Sequence, residues 1–119
     1  MEENNILYQK SYAFSIRIVR LMQYLHAQKK EFTLSRQILR SGTAIGALVS
    51  EAKYAQSRAD FLNKLMVALK EANETRYWLN LLYDTDYISS AQHTSLLSDN
   101  KEIIGILVAT TKTIKENKK

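Results

Sequence analysis

The chain of 119 residues has no cysteine, no proline, three glycines and two histidines. Without cysteine there is no disulfide framework, no thiolate zinc site and no cysteine nucleophile. Without proline and with so little glycine, the chain lacks the punctuation that turn-rich sandwiches and flexible linkers need. The apolar run Ile103–Ala109 is far shorter than the roughly 20 residues of a membrane-spanning helix. The opening MEENNILYQK is acidic and polar, with no apolar leader core, so export is not expected and the cytoplasm is the expected compartment. What remains is a single domain of ordinary globular composition, 45% hydrophobic and 24% charged.

The apolar residues recur with a helical period. Leu7, Phe14, Ile18, Leu21 and Leu25 fall on one face of a helix expected over about 5–28. Leu34, Ile38, Ser41, Ile45, Leu48 and Ala52 alternate steps of four and three over about 34–54, a bundle seam. Phe61, Leu65, Ala68, Ala72, Thr75, Leu79 and Leu82 form a third seam within 57–84. Ser57 is placed to cap that helix, and Asp60 puts negative charge in its first turn. Leu97, Ile104, Leu107, Thr111 and Ile114 mark the buried face of a fourth helix over about 90–117, opened by a Ser89–Gln92 capping box. Ser98-Asp99-Asn100 is a point where that helix can kink or restart. Short connections force antiparallel neighbours, so the expected fold is all-α, an up-down-up-down left-handed four-helix bundle.

Catalytic chemistry finds little support. A di-metal centre in such a bundle needs Glu-x-x-His on two helices. Glu51, Glu71, Glu74, His26 and His93 do not meet that spacing, so no metal or cofactor is expected. There is no Gly-x-Ser-x-Gly elbow and no phosphate-cradling glycine loop, because Gly42 and Gly46 lie inside a helix. Glu71 and Glu74 are instead candidates to pair with Arg40. The expectation is a protein that is not an enzyme.

The net charge is +5, with the basic surplus at both ends of the chain and an acidic middle. That favours polyanionic partners. Lys10, Arg17 and Arg20 share a stripe of the first helix, Arg36 and Arg40 lie one turn apart on the second, and Lys112 and Lys115 share a face of the fourth. These seven are the candidate RNA contacts, although solvated helix faces look the same in sequence. Tyr8, Tyr12 and Tyr24 near the first stripe are candidates to stack on bases. The run from Arg76 to Tyr83 is apolar almost all round, which points to a subunit contact through Tyr77, Trp78, Leu81 and Tyr83. Gly42 and Gly46, four residues apart, suggest a second place where another backbone comes close.

The segment from Arg40 to Ala52, RSGTAIGALVSEA, resembles the second-helix signature of the bacterial four-helix-bundle family first known from reading frames within intervening sequences of 23S ribosomal RNA. Asp60-Phe61, Lys64-Leu65, the run ALKEANET from Ala68 to Thr75 and Tyr77-Trp78-Leu79 resemble its third-helix signature. Asp86-Tyr87-Ile88-Ser89 resembles the turn that follows. Two positions depart from the pattern: Ala44 stands where the family usually has serine, and Leu48 where it often has asparagine. The resemblance implies a homopentamer of four-helix bundles around a central channel. It also implies kinship with the accessory variability determinant of diversity-generating retroelements, a pentamer that binds a reverse transcriptase and is thought to engage nucleic acid. The expected partners are therefore other copies of the chain and RNA or a nucleoprotein complex, without a membrane. The alternative is a protein-interaction scaffold whose charge serves only solubility.

Overall fold

The computed structural model describes residues 2–117, with side chains described from Ile6 onward. Four helices follow one another: α1 (Glu2–Lys29), α2 (Leu34–Ala52), α3 (Arg58–Asp84) and α4 (Ser90–Glu116). They form an elongated body of 51 × 21 × 21 Å. Cross-helix pairs fix an antiparallel ring. Ser35 bonds to His26 across α1 and α2, Ser41 to Thr75 across α2 and α3, Asn80 to His93 across α3 and α4, and Lys10 to Glu102 across α1 and α4. The α1–α4 side is the most sparsely packed of the four.

Each helix ends for a local reason. Ser57 Oγ accepts the Asp60 N–H, and Ser89 with Gln92 completes the expected capping box. The start of α2 is capped differently. Thr33 makes no side-chain cap, and the Glu31 carboxylate accepts the backbone N–H groups of Thr33, Leu34 and Ser35 at 2.8–3.1 Å. Burial pushes the Glu31 carboxyl up, and the three backbone donors together with the Ser35 side chain reverse this, leaving it below its ordinary value. Helices α1 and α3 both finish by dropping one residue into the left-handed region, Lys30 at φ 55° and Asp86 at φ 69°. The following N–H groups then return to the helix, Glu31 to the Leu25 carbonyl and Tyr87 to that of Leu82.

The core runs the length of the bundle. The five expected α1 residues, Leu7, Phe14, Ile18, Leu21 and Leu25, are all buried. On α3, Leu65, Ala68, Ala72, Thr75, Leu79 and Leu82 are buried, while Phe61 is half-buried. Burying a side chain of the Leu, Ile or Phe size contributes about 1.5–3 kcal/mol. Two seams depart from expectation in part: Ile38, Ser41, Ile45 and Ala52 on α2 and Leu107 and Thr111 on α4 are buried as expected, and neighbouring residues replace others. On α2 the buried line is Ser35, Ile38, Ser41, Gly42, Ile45, Gly46, Val49 and Ala52, and Leu34 and Leu48 are only half-buried. On α4 it is Leu96, Asn100, Ile103, Leu107 and Thr111, with Leu97 and Ile104 half-buried.

Helix α4 does not restart at Ser98–Asn100, where the sequence allowed a kink or a restart. The helix runs through, because Asn100 enters the core and donates its amide to the Ala72 carbonyl of α3 at 3.1 Å. Two buried oxygens, Ser11 Oγ and Asn100 Oδ1, have no protein partner among the described residues.

Candidate nucleic-acid and subunit interfaces

The seven nominated cations divide into two sets. Lys10 on α1 pairs with Glu102 of α4 at 3.0 Å. Arg17 reaches the same helix, donating to Asp99 Oδ2 at 2.7 Å and to Ser95 Oγ at 2.9 Å. These bridges add charge to the thinly packed α1–α4 seam. Arg40 on α2 reaches across to α3, donating to Glu71 at 3.2 Å and to Glu74. Glu74 also accepts the Trp78 indole N–H at 3.0 Å. The Trp78 donor and the Arg40 guanidinium hold the Glu74 carboxyl below its usual range, and Glu74 in turn raises the Arg40 guanidinium. The pairing of Arg40 with Glu71 and Glu74 is thus as the sequence suggests. It spends much of the charge that Arg40 would offer a phosphate.

Arg20, Arg36, Lys112 and Lys115 form the second set. All four are exposed, and none has a carboxylate within ion-pair distance among the described residues. They lie on α1, α2 and α4, and Lys112 and Lys115 line one shallow groove. Arg58 is a cation that sequence reading passed over. Its guanidinium donates to the carbonyls of Ile114, at 3.1 Å, and Asn117, satisfying the C-terminal end of α4. Its position at the start of α3 gives no hint of this, because the partner lies at the far end of the chain.

The nominated contact residues also divide. A Cβ built on Gly42 would lie 2.8 Å from Cγ1 and 2.9 Å from Cγ2 of Ile18, and one on Gly46 would lie 3.1 Å from Ser15 Oγ and 3.3 Å from the Ser11 carbonyl oxygen. The backbone that comes close is therefore α1 of the same chain. Both glycines are buried within the bundle and serve its internal packing. At the end of α3, Tyr77 is 59% and Tyr83 37% exposed, and Trp78 and Leu81 are half-buried. Tyr77 meets the Trp78 ring edge-on at 4.9 Å, and Tyr83 stacks on His93 at 4.5 Å. This patch keeps large apolar area outward.

A second outward row, Tyr8, Tyr12 and Ile16, runs along α1, each at least 42% exposed. Tyr8 and Tyr12 stack with centroids 5.9 Å apart and ring planes within 19°. Tyr24, the third candidate, is half-buried against the core.

Both histidines are occupied structurally. His26 Nε2 and Ser35 Oγ share a hydrogen bond at 3.0 Å. His93 Nε2 donates to Asn80 Oδ1 at 2.8 Å. No cluster of three or more His, Asp or Glu side chains placed to hold a metal occurs among the described residues. No helix of the described residues is long and apolar enough to cross a membrane.

Comparison with known proteins gives two positive findings. The sequence profile of the 23S rRNA-intervening sequence protein family matches residues 3–109. The chain is similar to a solved protein of unknown function from the S23 ribosomal protein family of Bacteroides thetaiotaomicron VPI-5482, at 53% identity over 92% of this chain and 98% of that chain, with a TM-score of 0.91. Among curated proteins, none matches significantly.

Proposed function

This chain belongs to the 23S rRNA-intervening sequence protein family, and from that premise we propose that it is a non-enzymatic, self-associating helical bundle of the cytoplasm that binds RNA through its outward cations. The observation that carries this reading is the exposed set Arg20, Arg36, Lys112 and Lys115, left without carboxylate partners among the described residues in a chain of net charge +5. Cations on several sides of a rod suit a backbone-tracking polyanion better than a compact anionic substrate. Self-association, as the homopentamer that the resemblance implies, would cover the apolar patch around Tyr77 and multiply each cation by the number of subunits.

An electrophoretic mobility shift with a structured RNA over a salt series tests the RNA reading. Four phosphate contacts per chain give a log–log salt slope of about −3 to −4. No shift at low salt, or a shift indifferent to salt, refutes it. Light scattering tests assembly. Wild type is expected above monomer mass, and Tyr77→Glu, at an exposed site, is expected to lower the mass while leaving the helical spectrum intact. A monomeric wild type at micromolar concentration refutes self-association.

The scaffold reading draws on a different observation. Lys10, Arg17 and Arg40 spend their charge inside the chain, and the outward rows around Tyr12 and Tyr77 are aromatic. Assembly without RNA binding in the two assays would favour it.

A further inference from the structure

A cleft lies where the start of α1, the end of α2 and the start of α3 come together. It has a volume of about 490 Å³, within the range of small-ligand sites. Its floor is core: Leu7, Val49, Ala52 and Leu65 are each at most 6% exposed. Its walls are aromatic, formed by Tyr8, Tyr54 and Phe61, and Ser50 and Ser57 add hydroxyls. Lys53 is the one charged residue in the lining, with Nζ 5.8 Å from the centroid of the Tyr54 ring. The last carbonyls of α2, those of Ser50, Glu51 and Ala52, are occupied by the N–H groups of Lys53, Tyr54 and Ala55, which leaves Lys53 to set the charge of the mouth. Tyr54 is 76% exposed, and Tyr8 continues outward into the stacked pair with Tyr12.

We propose that this cleft takes an unpaired RNA nucleotide, its base between the Tyr8 and Tyr54 side chains and its phosphate towards Lys53. Flat aromatic walls over an apolar floor match a nucleobase. Hydroxyl groups match its polar edge, and a single cation matches the charge of one phosphate. A base inside a duplex is stacked on both sides and cannot enter, so the cleft selects single-stranded or bulged RNA. The inference rests on the RNA-binding reading and adds to it the strand type and the residues that receive the base.

The test uses the full chain and a single-stranded ribo-oligonucleotide carrying one 2-aminopurine, whose fluorescence is quenched on stacking. Wild type is expected to quench it and to bind it more tightly than the same sequence in a duplex. Tyr54→Ala and Tyr8→Ala are expected to weaken single-strand binding roughly 5- to 150-fold, the range for losing one base–aromatic stack. Lys53→Ala is expected to reduce the magnitude of the salt slope by about one phosphate contact. Phe32→Ala, an exposed aromatic in the α1–α2 connection and outside the cleft lining, serves as the control and leaves quenching unchanged. Salt-dependent RNA binding without quenching, or with quenching indifferent to Tyr54→Ala, overturns the cleft proposal and leaves the RNA reading standing. If no RNA shifts at all, titration with 2-aminopurine riboside monophosphate decides the cleft alone. Absence of quenching at millimolar nucleotide overturns it, and quenching lost in Tyr54→Ala upholds it without the wider RNA reading.

Discussion

Glycine-to-alanine substitutions should move the stability of this bundle in opposite directions at two positions. In an open helix interior, alanine is favoured over glycine by about 1 kcal/mol. Gly105 in α4 is such a site, with nothing within 4 Å of a built Cβ. Gly105→Ala should therefore stabilise by close to the full amount. Gly42 in α2 has the same propensity to gain, but its Cβ would fall within 3 Å of both γ carbons of Ile18. Those carbons branch directly from the Ile18 Cβ, in a side chain that is stiff and fully buried, so they have no free end to swing aside. Overpacking of this kind costs about 1–3 kcal/mol. Subtracting the propensity gain leaves a net loss of about 0–2 kcal/mol. For a domain of this length, 1 kcal/mol corresponds to about 4 °C in Tm. Thermal melts followed by circular dichroism at one fixed protein concentration, since self-association makes Tm concentration-dependent, should show Gly105→Ala rising by about 4 °C and Gly42→Ala level or falling by up to about 8 °C. A rise for Gly42→Ala equal to that of Gly105→Ala would show that α1 does not approach α2 as closely as described.

Three further outcomes follow from the geometry. Because Glu31 has a lowered carboxyl value in the fold, its contribution is fully present above its ordinary value of 4.5 and is lost as pH falls through the folded value. Glu31→Ala should cost about 0.5–2 kcal/mol at pH 7 and flatten the acid limb of stability against pH, and an unchanged acid limb in urea melts would contradict the cap. Lys30→Gly should stabilise by about 1 kcal/mol, since it relieves a non-glycine residue of positive φ, and a lowered Tm would mean that the Lys30 side chain makes contacts outweighing that relief. In RNA mobility shifts, Arg20→Ala and Arg36→Ala should each reduce the salt slope by about one contact, whereas Arg17→Ala, whose charge is held by Asp99, should leave it unchanged; equal effects at all three would refute the division of the cations.

The helices were legible because each carries an uninterrupted apolar period. The α1 core from Leu7 to Leu25 could be named residue by residue, and the caps at Ser57 and Ser89 followed from local chemistry. The seams of α2 and α4 were harder. Leu48 and Leu34 are larger than Val49 and Ser35 and look like the better core residues. Yet Ser35 and Val49 are the buried ones, on the face that also carries Gly42 and Gly46 against α1. On α4 a polar residue, Asn100, occupies a core position, and its reason is a carbonyl on another helix. The same limit governs the candidate site. Which cations remain available depends on carboxylates 31 to 92 positions away in the chain, as Arg40 with Glu71 and Lys10 with Glu102 show. No spacing rule within one helix encodes those partners. The cleft at the end of α2 is likewise invisible in sequence, because Tyr8, Val49 and Phe61 belong to three separate elements.

The charge-bridged seam between α1 and α4 sets the order in which the molecule comes apart. Exposed ion pairs such as Lys10–Glu102 and Arg17–Asp99 hold with only about 0–1 kcal/mol each and weaken as ions screen them. The other three seams rest mainly on buried volume, which added salt does not weaken, even where α2 and α3 also share the Arg40–Glu71 and Lys64–Glu51 pairs. Amide hydrogens along the α1-facing side of α4 should therefore exchange by partial openings well below the global unfolding free energy, and should do so faster as salt is raised, while those of α2 wait for the whole bundle. The ring of four helices thus behaves as a firm three-helix body with one salt-sensitive hinge line.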